Sequence, residues 1–264
     1  MPQGHTARKR FGQNFLSDPN IIRKIIGAIA PRPGEHVVEI GPGLGALTEP
    51  LLEACGQLQV VEIDRDLIAR LKERYTPEQI VINEGDALKF DFGTLPAPLR
   101  VVGNLPYNIS TPLLFHLAAY AERVRDMTFM LQKEVVQRMV AEPDTEEYGR
   151  LSVMLQYRFD MARLFDVPPG AFRPAPKVTS AIVYMRPKSA DACNCKDEKL
   201  FGQIVTAAFG QRRKTLRNTL RQWCSDADFE VLGIDPQARG ETLEVADYVR
   251  VTDLVAQRGG SAVI

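Results

Sequence analysis

The four residues Asn104-Leu105-Pro106-Tyr107 combine groups that could act on an aromatic amine. Asn104 offers a side-chain carbonyl, and Leu105 offers a backbone carbonyl whose direction is restricted by the proline that follows it. Two acceptors placed at the N–H bonds of an exocyclic adenine amine favour a pyramidal nitrogen and direct its lone pair at an electrophilic methyl group. Tyr107 adds a flat face on which a base can stack. The motif therefore predicts methylation of an adenine amine.

This chemistry depends on positioning and on a sulfonium leaving group, and it requires neither a strong general base nor a metal ion. For a lone tetrapeptide of this kind, the alternative is a strand-to-turn segment in which Tyr107 is a core aromatic. The surroundings of the motif decide between the two interpretations, because methyl transfer needs a cofactor site beside it.

A glycine-rich turn at 41–45 (GPGLG) is the first part of a candidate cofactor site. Gly41 and Gly43 would let the backbone pass close to a ligand, and the helix expected behind them offers free N–H groups. Glu62 follows about 20 residues later, the position from which an acidic side chain binds ribose hydroxyls. Asp86 could accept a hydrogen bond from an adenine amine. Taken singly, these features are as typical of a tight turn, a helix cap or a surface charge.

The glycine spacing is G-x-G-x-G, which lacks the last interval of the dinucleotide fingerprint G-x-G-x-x-G. The pattern therefore favours a ligand with a nucleoside and no phosphate, and S-adenosylmethionine is such a ligand.

An α/β framework is needed to bring these residues together, and the order of apolar segments predicts one. Strands are expected at 35–40, 58–63, 79–83, 100–103 and 127–131. Helices are expected at 44–54, 66–75, 112–123 and 133–141, with Ser110 or Thr111 as the N-cap of the third. The alternation indicates a parallel sheet with helices on both faces, and together with the candidate cofactor site it leads us to expect a Rossmann-like methyltransferase fold. We expect this catalytic domain to span 1–187, followed by a linker at 188–198 and a small all-helical domain at 199–264.

The charge is balanced, with 33 basic and 33 acidic side chains, but the basic residues are clustered. One cluster lies at 5–10 (HTARKR) and another at 212–221, and a neutral protein with such clusters can carry a phosphate-binding face. For either cluster alone, a solvated surface is the alternative. Helical spacing would place several residues of the second cluster on one face, and we predict that these bind RNA phosphates: Arg212, Arg213, Lys214, Arg217 and Arg221.

Several features argue against a metal site and a membrane location. Four cysteines are too few and too scattered for a disulfide framework, and Cys193-Asn194-Cys195 lacks the usual zinc-ligand spacing. No apolar run is long enough for a transmembrane helix, and the polar, basic start is unlike a signal peptide. A cytoplasmic protein with no bound metal is expected.

Five segments, in the same order along the chain, resemble the ribosomal RNA adenine N6,N6-dimethyltransferases, most closely the bacterial small-subunit (16S) rRNA branch of that family. They are 8–16 (RKRFGQNFL), 39–45 (EIGPGLG), 103–112 (GNLPYNISTP), 172–178 (FRPAPKV) and 209–218 (FGQRRKTLRN). The resemblance implies that S-adenosylmethionine is contacted by Asn14, Leu16, Gly41, Glu62, Asp86 and Asn104. It also implies that the N-terminal segment closes over the cofactor and orders on binding, and that Phe172 is a second aromatic beside the target base. The alternative for Phe172 is a buried anchor of its loop.

The substrate implied by the resemblance is a pair of adjacent adenosines in the hairpin loop near the 3′ end of 16S rRNA, each receiving two methyl groups. The acceptor would be an immature 30S particle, with the protein acting as a monomer and contributing to small-subunit biogenesis. Other interpretations are a dimethylase acting on large-subunit rRNA, an RNA-binding assembly or transcription factor without catalysis, and a nicotinamide-dependent oxidoreductase. The last is disfavoured by the glycine spacing, and the intact motifs disfavour loss of catalysis.

Overall fold

The computed structural model describes residues 14–259, which form two compact units. An α/β unit contains 14–136 and 160–187, and a helical unit contains 137–159 and 188–259. The sequence-based division differs in one segment, because it placed 137–159 with the catalytic domain. Val153 and Tyr157 of that segment belong to the apolar core of the helical unit. Helical periodicity identifies an apolar face but not the core against which that face packs.

The α/β unit is organised around a seven-stranded sheet. Its strands are β2 (His36–Ile40), β3 (Leu58–Glu62), β4 (Ile80–Glu84), β5 (Leu99–Asn104), β6 (Val124–Gln132), β7 (Phe159–Val167) and β9 (Ser180–Pro187), and their order is β4-β3-β2-β5-β6-β9-β7. Strands β2 to β6 pair in parallel, and β9 pairs antiparallel with β6. A separate two-stranded sheet joins β1 (Phe15–Leu16) to β8 (Phe172–Arg173).

Five helices accompany these strands, and all but the first were predicted by the sequence. They are α1 (Pro19–Ile29), α2 (Thr48–Cys55), α3 (Arg65–Arg74), α4 (Ser110–Ala118) and α5 (Lys133–Met139). Val37 and Val38 point to opposite faces of β2, and both are buried, so both faces of the sheet are covered. The predicted Rossmann-like fold class is confirmed.

Strand β2 lies at the point where the strand order reverses, between β3 and β5. In open α/β sheets, ligands bind in the crevice that this reversal creates outside the carboxyl ends of the strands. The site is therefore expected just after Ile40, Glu62 and Asn104, the last residues of these three strands.

Helix α4 differs from its sequence-based prediction at both ends. Its N-cap is Ile109 rather than Ser110 or Thr111, and no side chain caps it. The Ser110 hydroxyl instead donates a hydrogen bond to the Tyr107 carbonyl, 3.1 Å away, and thereby stabilises the preceding turn. The helix ends at Ala118, before a short 3-10 turn at Ala121–Arg123.

The helical unit contains α6 (Arg150–Arg158), α7 (Glu198–Gly210), α8 (Leu216–Thr219), α9 (Asp226–Leu232) and α10 (Val245–Gln257). Residues 199–259 contain no strand, as the sequence predicts. The segment predicted as a linker, 188–198, includes a 3-10 turn, and Cys193 and Cys195 pack against the helical core. Among residues 14–259, no helix is long and apolar enough to cross a membrane.

Candidate active site

A cavity of about 230 Å³ lies at the carboxyl edge of the sheet, beside the ends of β2, β3 and β5. Its lining brings together the residues assigned to the cofactor and four of the five assigned to catalysis, with Asn104 assigned to both. They are Asn14, Leu16, Gly41, Gly43, Glu62, Asp86, Asn104, Leu105, Pro106 and Tyr107. Parallel strands end at one edge of a sheet, so segments distant in sequence meet here.

The glycine turn between β2 and α2 forms one wall of this cavity. Gly43 has a φ of 57°, in the left-handed region that favours glycine. A Cβ atom at Gly43 would lie 3.2 Å from Cδ1 of Phe15, so the ring of Phe15 packs directly on the turn. Glycine is thus required both by the backbone conformation and by the approach of β1.

Two acidic side chains line the cavity from the neighbouring strands. Glu62 is only 6% exposed, and its Oε1 accepts hydrogen bonds of 2.8 Å from the N–H groups of Ile63 and Asp64. Burial raises the pKa of Glu62, against the lowering effect of these N–H donors and that of Gly43. Asp86 is half-buried, and its Oδ1 accepts a hydrogen bond from Leu88 N–H at 3.0 Å. Both carboxyl groups are held by backbone donors in fixed orientations.

Glu39 and Ile63 also line the cavity, and sequence reasoning missed both. Glu39 is fully buried, accepts a 2.6 Å hydrogen bond from the Thr48 hydroxyl, and has its pKa raised to about 7, mainly by burial. Ile63 is 49% exposed, which is unusual for its type and gives the cavity an apolar wall next to Glu62. The available signal was an acidic residue in an otherwise apolar strand directly before the glycine turn.

Asn104 ends β5 with its side-chain amide held by the N-terminal strand. Its Nδ2 donates a 3.1 Å hydrogen bond to the backbone carbonyl of Asn14. Only the NH₂ end of an amide can donate to a carbonyl, so this contact determines which way the side chain is turned. Oδ1 is thereby the end available to accept a hydrogen bond from a ligand amine.

The backbone around Asn104 is packed closely. A Cβ atom at Gly103 would lie 2.6 Å from the carbonyl oxygen of Ile40, so only glycine lets β5 approach β2 this closely. The N–H of Leu105 donates to the Met130 carbonyl at 3.2 Å, and that of Ile109 donates to the Pro106 carbonyl at 3.1 Å. The motif is therefore a fixed turn on a rigid strand end.

Tyr107 is half-buried and lines the cavity, rather than belonging to the core as in the alternative interpretation. Its hydroxyl lies 3.0 Å from the Ser180 hydroxyl, in hydrogen-bonding contact. Ser180 is a further residue that the sequence reasoning did not single out.

Phe172, which the resemblance implies is a second aromatic beside the target base, has a buried side chain. It is 1% exposed, belongs to the same apolar cluster as Leu16 and Ala171, and is not among the described residues that line the cavity. In the β1–β8 pair, Leu16 lies opposite Phe172, and Phe15 lies opposite Arg173. Phe172 thus contacts the apolar cluster that also holds the N-terminal strand, and its role beside the target base stays a prediction.

The basic segment of the helical unit is not the continuous helix that the sequence predicted. Residues 211–215 form a turn, and α8 contains only four residues. Buried Leu216 and Leu220 join this segment to the core, which sets its path. The five predicted RNA-binding residues are all exposed, but Arg217 pairs with Asp226 at 2.9 Å, and Arg212 donates to the Glu146 carbonyl at 3.3 Å. The other basic cluster, 5–10, lies outside the described residues.

The cavity has the chemistry that a sulfonium nucleoside requires. The buried Glu62 and half-buried Asp86 can accept hydrogen bonds from ribose hydroxyls and an adenine amine. Ile63 offers an apolar face for the base, and the glycine turn leaves room for close approach. Within 14–259, no group of three or more His, Cys, Asp or Glu side chains is placed to hold a metal ion.

Comparison with known proteins adds independent information. The family model for ribosomal RNA adenine dimethylase matches residues 4–257. A ribosomal RNA small subunit methyltransferase A from Aromatoleum aromaticum is 75% identical over 258 residues, covering 98% of this chain and 97% of that protein. The protein of the same name from Thiobacillus denitrificans is 62% identical, covering 96% of this chain and all of the relative.

Two solved structures resemble the fold over nearly its whole length. A dimethyladenosine transferase from Plasmodium falciparum is 25% identical with a TM-score of 0.78, covering 95% of this chain and 100% of that one. The 23S rRNA methyltransferase ErmE is 26% identical with a TM-score of 0.70, covering 92% and 100%.

Proposed function

The chain belongs to the ribosomal RNA adenine dimethylase family, and we propose that it dimethylates the N6 amines of two adjacent adenosines in 16S rRNA. The protein is a methyltransferase, and S-adenosylmethionine is its methyl donor. The observation that carries the proposal is the orientation of Asn104 on the wall of a cavity that also contains Glu62 and Asp86. An acceptor for an amine thus lies beside acceptors for a nucleoside.

The cofactor end of the cavity is formed by the glycine turn and the two acidic residues. Glu62, fixed by N–H donors from Ile63 and Asp64, would accept hydrogen bonds from ribose hydroxyls. Asp86 would accept one from the adenine amine of the cofactor. The exposed side chain of Ile63 would offer an apolar surface to the adenine ring. The bound cofactor would supply an electrophilic methyl group on a sulfonium.

The catalytic end is formed by the Asn104 motif. Asn104 Oδ1 and the Leu105 carbonyl accept hydrogen bonds from the two N–H groups of the target amine. This arrangement turns the nitrogen lone pair toward the methyl group. Tyr107 presents its ring to the face of the extruded base. The amine becomes strongly acidic once methylated, so its proton can leave without a strong general base. The gain in rate comes from positioning, which can contribute about 7–11 kcal/mol.

The choice of 16S rRNA is supported by relatives at 75% and 62% identity that are named for the small subunit and match nearly end to end. ErmE, which is named for 23S rRNA, is only 26% identical. We place the target adenosines in the 3′-terminal hairpin loop, since unpaired loop bases are the easiest to extrude. The substrate is the immature 30S particle, bound by a monomer in the cytoplasm during small-subunit biogenesis.

The decisive test is methylation of unmethylated 30S particles with labelled S-adenosylmethionine, followed by mass spectrometry of the 16S rRNA. Two adjacent dimethyladenosines are expected with the wild-type protein, and none with Asn104→Ala. Unmodified 23S rRNA serves as the competing substrate. Product on 23S rRNA alone would overturn the choice of substrate, and cofactor binding without any product would overturn the proposed catalysis.

A further inference from the structure

Tyr107 lines the cavity, and its hydroxyl is held by a hydrogen bond to Ser180. It lies 3.0 Å from the hydroxyl of Ser180, and either group can act as the donor. Ser180 is buried, with 1% of its surface exposed, so its hydroxyl depends on a protein partner. Tyr107 is only half-buried and borders the cavity, so a bond at the outer end of its ring restricts how the ring can tilt.

Sheet topology explains how Ser180 reaches this position. Strands β2 to β6 end at the edge that carries the cavity, whereas β9 runs antiparallel to β6. The first residue of β9 therefore lies at that edge, and Ser180 is opposite Gln132, the last residue of β6. On the other side of β6, Asn104 at the end of β5 lies opposite Met130. Ser180 is thus held by the sheet beside the catalytic motif, although 73 residues separate it from Tyr107 in sequence.

We propose that Ser180 is a positioning residue, which fixes the ring of Tyr107 in the plane needed to hold the target base. This inference rests on the proposed function. The ring of Tyr107 also depends on its backbone, where the Ser110 hydroxyl donates to the Tyr107 carbonyl at 3.1 Å. Tyr107 is consequently tethered at both ends, by Ser110 at the backbone and by Ser180 at the hydroxyl.

The tether is tested with Ser180→Ala, Tyr107→Phe and the double variant, each assayed for kcat and KM on unmethylated 30S particles. Tyr107→Phe keeps the flat aromatic face and removes only the hydroxyl. Each single variant is expected to lower kcat about tenfold, the effect of removing one hydrogen bond of ordinary strength from the transition-state geometry. KM for the particle and the affinity for S-adenosylmethionine are expected to stay within about twofold, because the tether orients the base without contributing to docking.

The double variant separates a shared bond from two independent defects. Either single change already breaks the bond. The kcat of the double variant is therefore expected to be lowered by no more than about the same tenfold. Ser180→Thr keeps a hydroxyl and is expected to recover most of the turnover. Ser152→Ala is a matched control, because Ser152 is a buried, hydrogen-bonded serine of the helical unit. It is expected to lower Tm while leaving kcat per folded molecule unchanged.

Wild-type turnover in Ser180→Ala, or effects of Ser180→Ala and Tyr107→Phe that multiply, would overturn the inference while leaving the proposed function intact. A fall in kcat that merely follows the folded fraction, as judged by Tm, would also overturn it. Should Ser180→Ala not fold, Tyr107→Phe tests the same bond from the other side. A wild-type protein that transfers no methyl group to RNA would overturn the proposed function, and this inference with it.

Discussion

The side-chain amide of Asn104 donates a 3.1 Å hydrogen bond to the backbone carbonyl of Asn14. The contact joins the last residue of β5 to the residue before β1, and it determines which end of the amide faces the cavity. Because β1 is itself paired with β8 and packed on Gly43 through Phe15, the orientation of the Asn104 side chain depends on how the N-terminal strand is docked.

Replacing Asn104 by aspartate tests this orientation. Asn104→Asp keeps an acceptor for the target amine but cannot donate to the Asn14 carbonyl, so two oxygens would repel each other. We expect turnover to fall about 100-fold or more, as for other small misplacements of a catalytic group. The turnover of Asn104→Ala should fall by at least as large a factor. Single-turnover methylation at saturating cofactor measures both. Near-normal turnover in Asn104→Asp would show that the contact with Asn14 does not matter.

Glu62 and Glu84 offer a matched pair for the cofactor site, because they lie opposite each other in the β3–β4 register. Glu62 is buried in the cavity wall, whereas Glu84 is exposed and pairs with Lys72. Glu62→Ala should weaken S-adenosylmethionine binding about 10- to 100-fold, as expected for hydrogen bonds to a charged group. Glu84→Ala should change it less than about twofold. Calorimetry measures both. Equal effects would contradict the assignment of Glu62.

Glu39 should make stability depend on pH. Burial raises its pKa from 4.5 to about 7 in the folded protein, so between these values the folded state keeps a proton that the unfolded state has released. The contribution of Glu39 to stability therefore falls as the pH rises from about 4.5 to 7 and is constant above that range. Glu39→Gln removes this pH dependence, and its amide oxygen can still accept from Thr48.

The difference in unfolding free energy between Glu39→Gln and wild type should grow across this pH range and reach up to about 3 kcal/mol above pH 7. Urea unfolding at several pH values measures it. Comparing the two proteins cancels the titration of the other carboxylates. A difference that does not change with pH would show that Glu39 ionises normally.

Phe172 separates a structural role from a base-stacking role. Because its ring is fully buried, Phe172→Ala should cost about 3–5 kcal/mol of unfolding free energy and lower Tm by roughly 6–20 °C. Phe172→Leu should retain most of both stability and turnover. Thermal unfolding and methylation assays on the same samples measure these quantities. Loss of turnover in Phe172→Leu with an unchanged Tm would restore the base-stacking role implied by the resemblance.

The basic segment of the helical unit should contribute to RNA binding through its charge. Replacing Arg213 and Lys214 by alanine should reduce the slope of log affinity against log salt by about 0.7–0.9 for each phosphate that is no longer neutralised. Arg217→Ala should reduce it less, because Asp226 already offsets the charge of Arg217. Filter binding of 16S rRNA across a salt series measures these slopes. Unchanged slopes in the Arg213 and Lys214 variants would exclude phosphate binding there.

Most of the α/β unit could be predicted from sequence, because short apolar segments, glycine turns and strand-end polar residues are local signals. Glu62, Asp86 and Asn104 were expected to lie together because each follows or ends a predicted strand, and all three line one cavity. Ser180 was missed because its strand runs the other way, and a residue at the start of a strand gives no such signal. The helix expected around Arg212 was wrong because helical charge spacing does not reveal that Leu216 and Leu220 fix a different path.

The burial of Phe172 could not be predicted either, since an aromatic residue in a proline-rich loop is compatible with both the core and the cavity. Its position depends on the pairing of β1 with β8. The two strands are distant in sequence, since Ser17 and Ala171, which lie next to them and are hydrogen-bonded, are 154 residues apart. Pairing over this range leaves no trace in local composition.

The assignment of Gln137–Phe159 to the helical unit has a consequence for how the protein can be divided. The chain leaves the α/β unit, builds α6, returns to complete the sheet, and then leaves again. A polypeptide cut after Pro187 would keep α6 without α7 and α10, the helices that it touches, exposing Val153 and Tyr157. The helical unit is therefore not a detachable C-terminal module. Exchanging it between relatives would require two grafts made together.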